Sequence, residues 1–340
     1  MYNDIITEIT QKFQKPKRKN EQVSFKFPKD HKERTKLLEC SQSIHTTILE
    51  HQQSKDIKKN LSFLTCKSKF CPVCNKIKSN KWASALYKRT KELQEKESQR
   101  FLFLTLTVKN CKIEELHNTI QNMNDAWNTF KKYHLMDTRK KRVKRFNGFV
   151  KILEITFPNG KEAHPHFHIL LSADESYFNK DNSSYLTTKK ISELWGKSLG
   201  VDYQPIVDIR IIKPKKTKEG QITKEAIPAV LAEMTKYPMK DTDYRKLKQE
   251  KMAELYNQLY RKRLISTGGN LKISINKIEN IGKEEEVSEE EMEEWKEIAT
   301  LVLKYINGGY ALASFTIKNA DSKPRHNEVI GEATDKAAGG

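Results

Sequence analysis

Residues 146–173 read FNGFVKILEITFPNGKEAHPHFHILLSA. Two runs rich in Val, Ile, Leu and Phe flank the turn signal Pro158-Asn159-Gly160-Lys161, the pattern of a β-hairpin. The runs 146–157 and 164–173 are therefore expected to pair antiparallel. Side chains alternate between the faces of a strand, so His166 and His168 share a face and Phe167 turns to the opposite layer. On the first run Val150, Ile152, Glu154 and Thr156 share a face, and Glu154 is the only acid there. A carboxylate on a half-buried strand needs a partner. Glu154 is thus expected to join His166 and His168 around one divalent ion; the plain alternative is the solvent face of an edge strand. Imidazole suits Mn, Zn, Ni and Fe, whereas Mg takes oxygen, so water, carboxylate or substrate phosphate would complete the site. His164, before Pro165, is expected to support the pair from outside it or to contact phosphate.

Working outward, FLFLTLTV (101–108) reads as a buried strand. A helix follows, with Leu116, Ile120, Met123, Trp127 and Phe130 on one stripe. After the hairpin come a helix at 187–198, a strand at 206–212 and a helix at 224–240. This βαββαβα order predicts an α+β fold, a central antiparallel sheet with flanking helices. Residues 244–263 read as a basic helix, STGGNLKI (266–273) as a turn into a strand, and the acidic run 283–295 as leading into a helix at 292–306.

The 340 residues carry 63 Lys+Arg against 44 Asp+Glu, a formal charge of +19. That length suggests about two domains. No apolar run approaches the roughly 20 residues of a membrane span, and no secretory signal is visible, so a cytoplasmic protein with no membrane partner is expected. The charge points to a polyanion, DNA above all.

Four of the five cysteines cluster early: Cys40, Cys66, Cys71 and Cys74. In a reducing compartment such a cluster suggests zinc before disulfides, with His45 or His51 as substitutes for Cys40. Lys67, Lys69, Lys76, Lys78 and Lys81 around it are expected to grip DNA. Cys111 stands apart. The expected organisation is a basic flexible arm (1–36), a cysteine-rich module (37–95), a central sheet domain carrying the histidine hairpin (96–245), a C-terminal helical and strand extension (246–320) and a disordered tail (321–340).

Glu233 and Tyr237 lie four apart, on one face of a helix, with Lys236 and Lys240 repeating the spacing beside them. Pro238 bends or ends that helix and presents the phenol. A phenol with pKa about 10 is a weak nucleophile unless held as phenolate, and the two lysines and a divalent ion supply that. Attack by Tyr237 on a DNA phosphate would leave a 5′-phosphotyrosine and a free 3′-OH. Glu233 would activate a water or second hydroxyl to end the cycle. The alternative is a packing Tyr beside surface charges.

FLTLTV (103–108), HPHFHILL (164–171) and EMTKYPMK (233–240), in this order, resemble the three motifs of the HUH endonucleases, and among them the rolling-circle plasmid replication initiators of Gram-positive bacteria. The cysteine region before the first motif and RLISTGGNLK (263–272) after the third are similar to that family too. The resemblance implies an HUH-type sheet, His166 and His168 as metal-binding pair with Mn or Mg, Tyr237 as nucleophile and Glu233 as terminating glutamate. It also implies a double-strand origin with an extruded hairpin and single-stranded nick site. A host superfamily 1 helicase, single-strand binding protein and DNA polymerase would be partners. Tyr244 is the only reserve for a second tyrosine. An HUH transposase or mobilisation relaxase, and a non-enzymatic zinc-dependent DNA-binding regulator, remain the alternatives.

Overall fold

The computed structural model describes residues 1–136, 145–158, 160–179, 185–212, 215–216, 222–224, 226–235, 244, 247–274, 276, 278 and 294–318. Lys236, Tyr237 and Lys240, most of the acidic run and the tail fall outside the described residues.

The protein is α+β with antiparallel sheets. The larger sheet is built on the hairpin β5 (Gly148–Thr156) and β6 (Glu162–Ala173). Its strand order is β10-β5-β6-β3-β7, with β3 at Arg100–Thr107, β7 at Val207–Ile211 and β10 at Ile265–Gly269. The short β4 (Cys111–Lys112) pairs with the start of β6. The histidine strand β6 is thus flanked on both sides, by β5 and β3. Gly160, at φ 68, occupies the left-handed conformation that the hairpin turn requires.

Both faces of this sheet are covered. Leu102, Leu104, Phe167, Ile169 and Leu171 point to α4 (Leu116–Phe130) and α5 (Thr188–Leu199). The predicted stripe Leu116, Ile120, Met123, Trp127 and Phe130 is the buried side of α4. On the opposite face Phe103, Val150, Ile152 and Leu170 meet Trp82, Leu86 and Leu93 of α3 (Pro72–Glu97), together with Leu231 and Met234 of α6 (Ala226–Thr235). The two-residue β8 (Lys215–Lys216) pairs with β9 (Ile222–Lys224), and α7 spans Gln249–Gln258.

The N-terminal third departs from expectation. Residues 1–36 hold α1 (Tyr2–Ser24) and the start of α2 (Lys32–Glu39) rather than a flexible arm. Ile5, Ile9, Phe13 and Val23 recur at helical spacing and are buried; the basic residues between them masked that stripe. A second sheet has the order β12-β11-β1-β2, with β1 at Ser43–His51 and β2 at Ile57–Phe63. Its other half is β11 (Trp295–Ile306) and β12 (Gly309–Ile317). The helix expected at 292–306 is therefore a strand. Ala299, Leu301, Leu303 and Tyr305 alternate as buried residues, a period of two, and β11 pairs antiparallel with β1.

Nor do residues 246–320 form a separate extension. Ile265–Gly269 is the edge strand beside β5, so Gly268 and Gly269 lie within the strand and the turn at Asn270 follows it. Residues 295–317 complete the sheet that begins at Ser43. Among the described residues no helix is long and apolar enough to cross a membrane.

Candidate metal centres and nucleic-acid site

In the hairpin register Glu154 lies opposite His166 and Thr156 opposite His164. On the other side of β6, Thr105 lies opposite His168. Glu154, His166 and His168 come together: Glu154 Oε2 is 2.7 Å from His168 Nε2 and 3.3 Å from His166 Nε2. Ligands at about 2.0–2.2 Å from a common ion, set at right angles, lie about 3 Å apart, so the spacing suits one divalent ion. Phe167 faces the other way, towards Trp195 of α5.

Hydrogen bonding supports the same conclusion. His166 Nδ1 lies 3.2 Å from the carbonyl oxygen of His164, which can only accept. A proton on Nδ1 would donate there, which leaves the Nε2 edge facing a Glu154 oxygen. Two facing lone pairs call for a proton or a cation between them. His168 Nδ1 lies 3.2 Å from Thr105 Oγ1, and its ring stacks on Phe103 at 5.2 Å. Burial alone would push the Glu154 carboxyl up, but hydrogen bonds to His166 and His168 hold it well below the usual carboxylate range. His164 Nδ1 lies 2.8 Å from Asn110 Oδ1; burial, then the neighbouring His166, push its imidazole down.

Thr105 and the His164 carbonyl were not picked out from the sequence. Thr105 was visible in principle: in FLFLTLTV it is the first hydroxyl on the face that Phe101 and Phe103 share.

The helix carrying Glu233 lies on this same face. Leu231 and Met234 pack with Phe103 and Ile152, and Phe103 is the ring stacked on His168. Ser79 Oγ donates to Thr235 Oγ1 at 3.5 Å, linking α3 to α6. Glu233 is exposed. Tyr244, the reserve tyrosine, is 1 % exposed, and its hydroxyl donates to the Phe70 carbonyl at 3.1 Å; it is a packing residue.

The four early cysteines also converge. Cys40 follows α2, Cys66 follows β2, and Cys71 caps α3, its sulfur accepting from the Cys74 N–H. Cys40 Sγ is 3.5 Å from both Cys71 and Cys74, and Cys66 is 3.7 Å from Cys74. A tetrahedron of sulfurs about 2.3 Å from zinc has edges of about 3.8 Å. Burial pushes the Cys71 thiol up, while hydrogen bonds from Cys40, Cys66 and Cys71 hold Cys74 well below the thiol range. His45 and His51 are not in this group, and neither is Cys111.

Of the five lysines expected at a DNA surface, Lys67 and Lys78 are exposed. Lys69 turns inward and donates to the Leu259 carbonyl at 2.6 Å, tying the start of α3 to the end of α7; burial lowers its pKa. Lys76 donates to the Lys12 carbonyl at 3.0 Å, and Lys81 is half-buried. A lysine near a cysteine cluster carries no signal in the sequence that separates these fates.

With this geometry in place, comparison with known proteins gives a family. Residues 58–309 match the family model described as replication protein. The chain belongs to the replication protein family. It is 36% identical over 209 residues to a "Protein rep" from Streptococcus pneumoniae, covering 61% of each chain. To a "Replication protein" from Staphylococcus aureus it is 35% identical over 200 residues, 57% of this chain and 80% of that one. A "Protein rep" from Lactiplantibacillus plantarum is 33% identical over 250 residues, 68% of this chain and 75% of the relative. The chain spans 61% of the Streptococcus relative and 64% of one from Lentilactobacillus hilgardii. No solved structure matches it.

Proposed function

We propose that this chain is a plasmid replication initiator of the HUH endonuclease type, which nicks one strand of a double-strand origin. One observation carries this reading. Two imidazoles and a carboxylate converge on the sheet face that α6 covers, and Tyr237 follows α6 by two residues in the sequence. Membership of the replication protein family supports it. So does the excess of 63 basic over 44 acidic residues.

His166, His168 and Glu154 would hold Mn or Mg, which when bound would polarise the scissile phosphate and offset the charge that develops on it. Lys236 and Lys240 hold the Tyr237 oxygen as phenolate. That oxygen attacks phosphorus; a P–O bond to Tyr237 forms and the bond to the 3′-oxygen breaks. The protein keeps the 5′ end as a phosphotyrosine, and the departing 3′-OH primes synthesis. The transferred ester is retained, so rejoining needs no ATP. In the terminating step Glu233 takes the proton from a water that attacks the regenerated nick-site phosphate: an O–P bond to water forms, the bond to the 3′-oxygen breaks, and the freed 3′-OH attacks the phosphotyrosine, closing the strand and releasing the Tyr237 phenol. Cys40, Cys66, Cys71 and Cys74 would hold zinc and fix the start of α3. Exposed Lys67 and Lys78 would contact phosphates. A host superfamily 1 helicase, single-strand binding protein and polymerase would then act on the nicked origin hairpin in the cytoplasm.

Incubation with a supercoiled plasmid carrying the origin tests the reading. Wild type with Mn should give an open circle whose 3′ end a polymerase extends. Tyr237→Phe should give none. Equal nicking by the variant would remove Tyr237 from the reaction. Normal termination by Glu233→Ala would remove that role from Glu233.

A further inference from the structure

The basic run Lys15-Pro16-Lys17-Arg18-Lys19 lies on α1. Within it Lys17 alone among the cations is turned fully inward, 2 % exposed. Its Nζ donates to the carbonyl of Leu38 at 2.6 Å and to that of Cys40 at 2.8 Å, and lies 5.4 Å from the Tyr305 ring. A buried ammonium is costly unless an opposite charge compensates it. Glu21, one turn on along α1, attracts the ammonium less strongly than Cys40 and Cys71 do. The two bonds of Lys17 end at the turn that delivers Cys40 into the four-sulfur cluster.

We infer that Lys17 is the internal countercharge of the four-cysteine centre, placed by α1 to make that centre hold a divalent metal more tightly. The inference rests on reading the cysteines as a metal site. Four thiolates around a divalent ion carry a net charge of −2 in a partly buried setting. An ammonium locked beside them halves that charge, to a local sum of −1, and is itself compensated. Lys17 is a positioning residue as well: by binding the Cys40 carbonyl it sets the backbone from which that sulfur projects. The coupling runs both ways. Loading the metal favours a docked Lys17, and with it α1 packed on the second sheet, where Phe13 meets Phe63 and Tyr2 meets Phe315. Lys15 and Arg18 are exposed and Lys19 is half-buried.

The test uses the full chain loaded with zinc and titrated with a chelator of known affinity, with helix content followed by circular dichroism. Three proteins are compared: wild type, Lys17→Met and Lys17→Gln. Met keeps the apolar stem and removes charge and donors. Gln removes the charge but can still donate to a carbonyl. The expected result is that both variants fold with zinc bound, yet surrender it with an affinity lowered by roughly tenfold or more, the range for groups that support metal ligands. Three results would overturn the inference: retention equal to wild type in both variants, restoration by Gln alone, or loss of helix in the zinc-loaded variants. The last would mark Lys17 as a purely structural contact. A wild type that binds no zinc would instead sink the reading of the cysteine cluster itself.

Discussion

Lys151 sits on β5 with its side chain on the face opposite Glu154, 7 % exposed beneath α4. Its Nζ donates to Asn124 Oδ1 at 2.5 Å and lies 4.0 Å from the Phe167 ring. Burial, with Lys131 nearby as a second cause, pushes its pKa down to about 7 from 10.5. Between pH 7 and 10.5 the unfolded chain therefore binds a proton that the folded chain does not. Stability should rise with pH through that window, by about 1.4 kcal/mol per unit. Over 3.5 units (10.5 less 7) this accumulates to about 4–5 kcal/mol, the cost of holding Lys151 at and below pH 7. The Phe167 ring and the Asn124 bond return about 2 kcal/mol of it. Lys151→Met should accordingly stabilise the protein by about 2 kcal/mol at pH 7 and lose the advantage by pH 10. Urea midpoints of wild type and variant from pH 6 to 10 measure this, and the difference between them cancels other titrating groups. A variant less stable at pH 7, or a difference flat in pH, would refute the reasoning.

Thr105→Val removes the hydroxyl beside His168 Nδ1 at nearly constant shape. Metal affinity at the histidine site should fall roughly 10- to 100-fold, read by Mn titration, with the unfolding midpoint within about 1 kcal/mol of wild type. Tyr244→Phe should lose about 1 kcal/mol of stability with its bond to Phe70 and nick at the wild-type rate; a loss of nicking would return Tyr244 to the chemistry. At Gly269, φ is +62 and a Cβ would stand 2.0 Å from the Asn147 carbonyl oxygen. Gly269→Ala should therefore cost at least about 2 kcal/mol, visible as an earlier thermal transition.

The hairpin was legible because its signals agree at every level. Turn residues, alternation and one acid facing two imidazoles all pointed to one register, and Glu154 is found opposite His166. The stripe on α4 was legible for the same reason. What was misread had local composition pulling against tertiary pattern. Ile5, Ile9 and Phe13 are spaced as a helix, yet the lysines around them read as solvated. The run of glutamates before Trp295 suggested a helix, whereas Ala299, Leu301 and Leu303 alternate as a strand. Its partner β1 lies some 250 residues away in sequence, and no local signal reports such a pairing. The same distance hid the dependence of the cysteine region on the C-terminal strands. Four cysteines could be counted, but the ammonium set beside them by α1 could not. At the histidine site the three side chains that converge could be read from residue type. The groups that orient them, a threonine hydroxyl and a backbone carbonyl, are supplied by strand register alone.

The central claim is that Tyr237 attacks a DNA phosphate held at the Glu154, His166 and His168 centre. The most direct measurement is peptide mapping by mass spectrometry of the covalent product formed with a single-stranded origin oligonucleotide and Mn. The account predicts one nucleotide-bearing peptide, modified at Tyr237, absent when Mn is chelated and absent in His168→Ala. A covalent link at any other residue, or one that forms undiminished without metal, would contradict it.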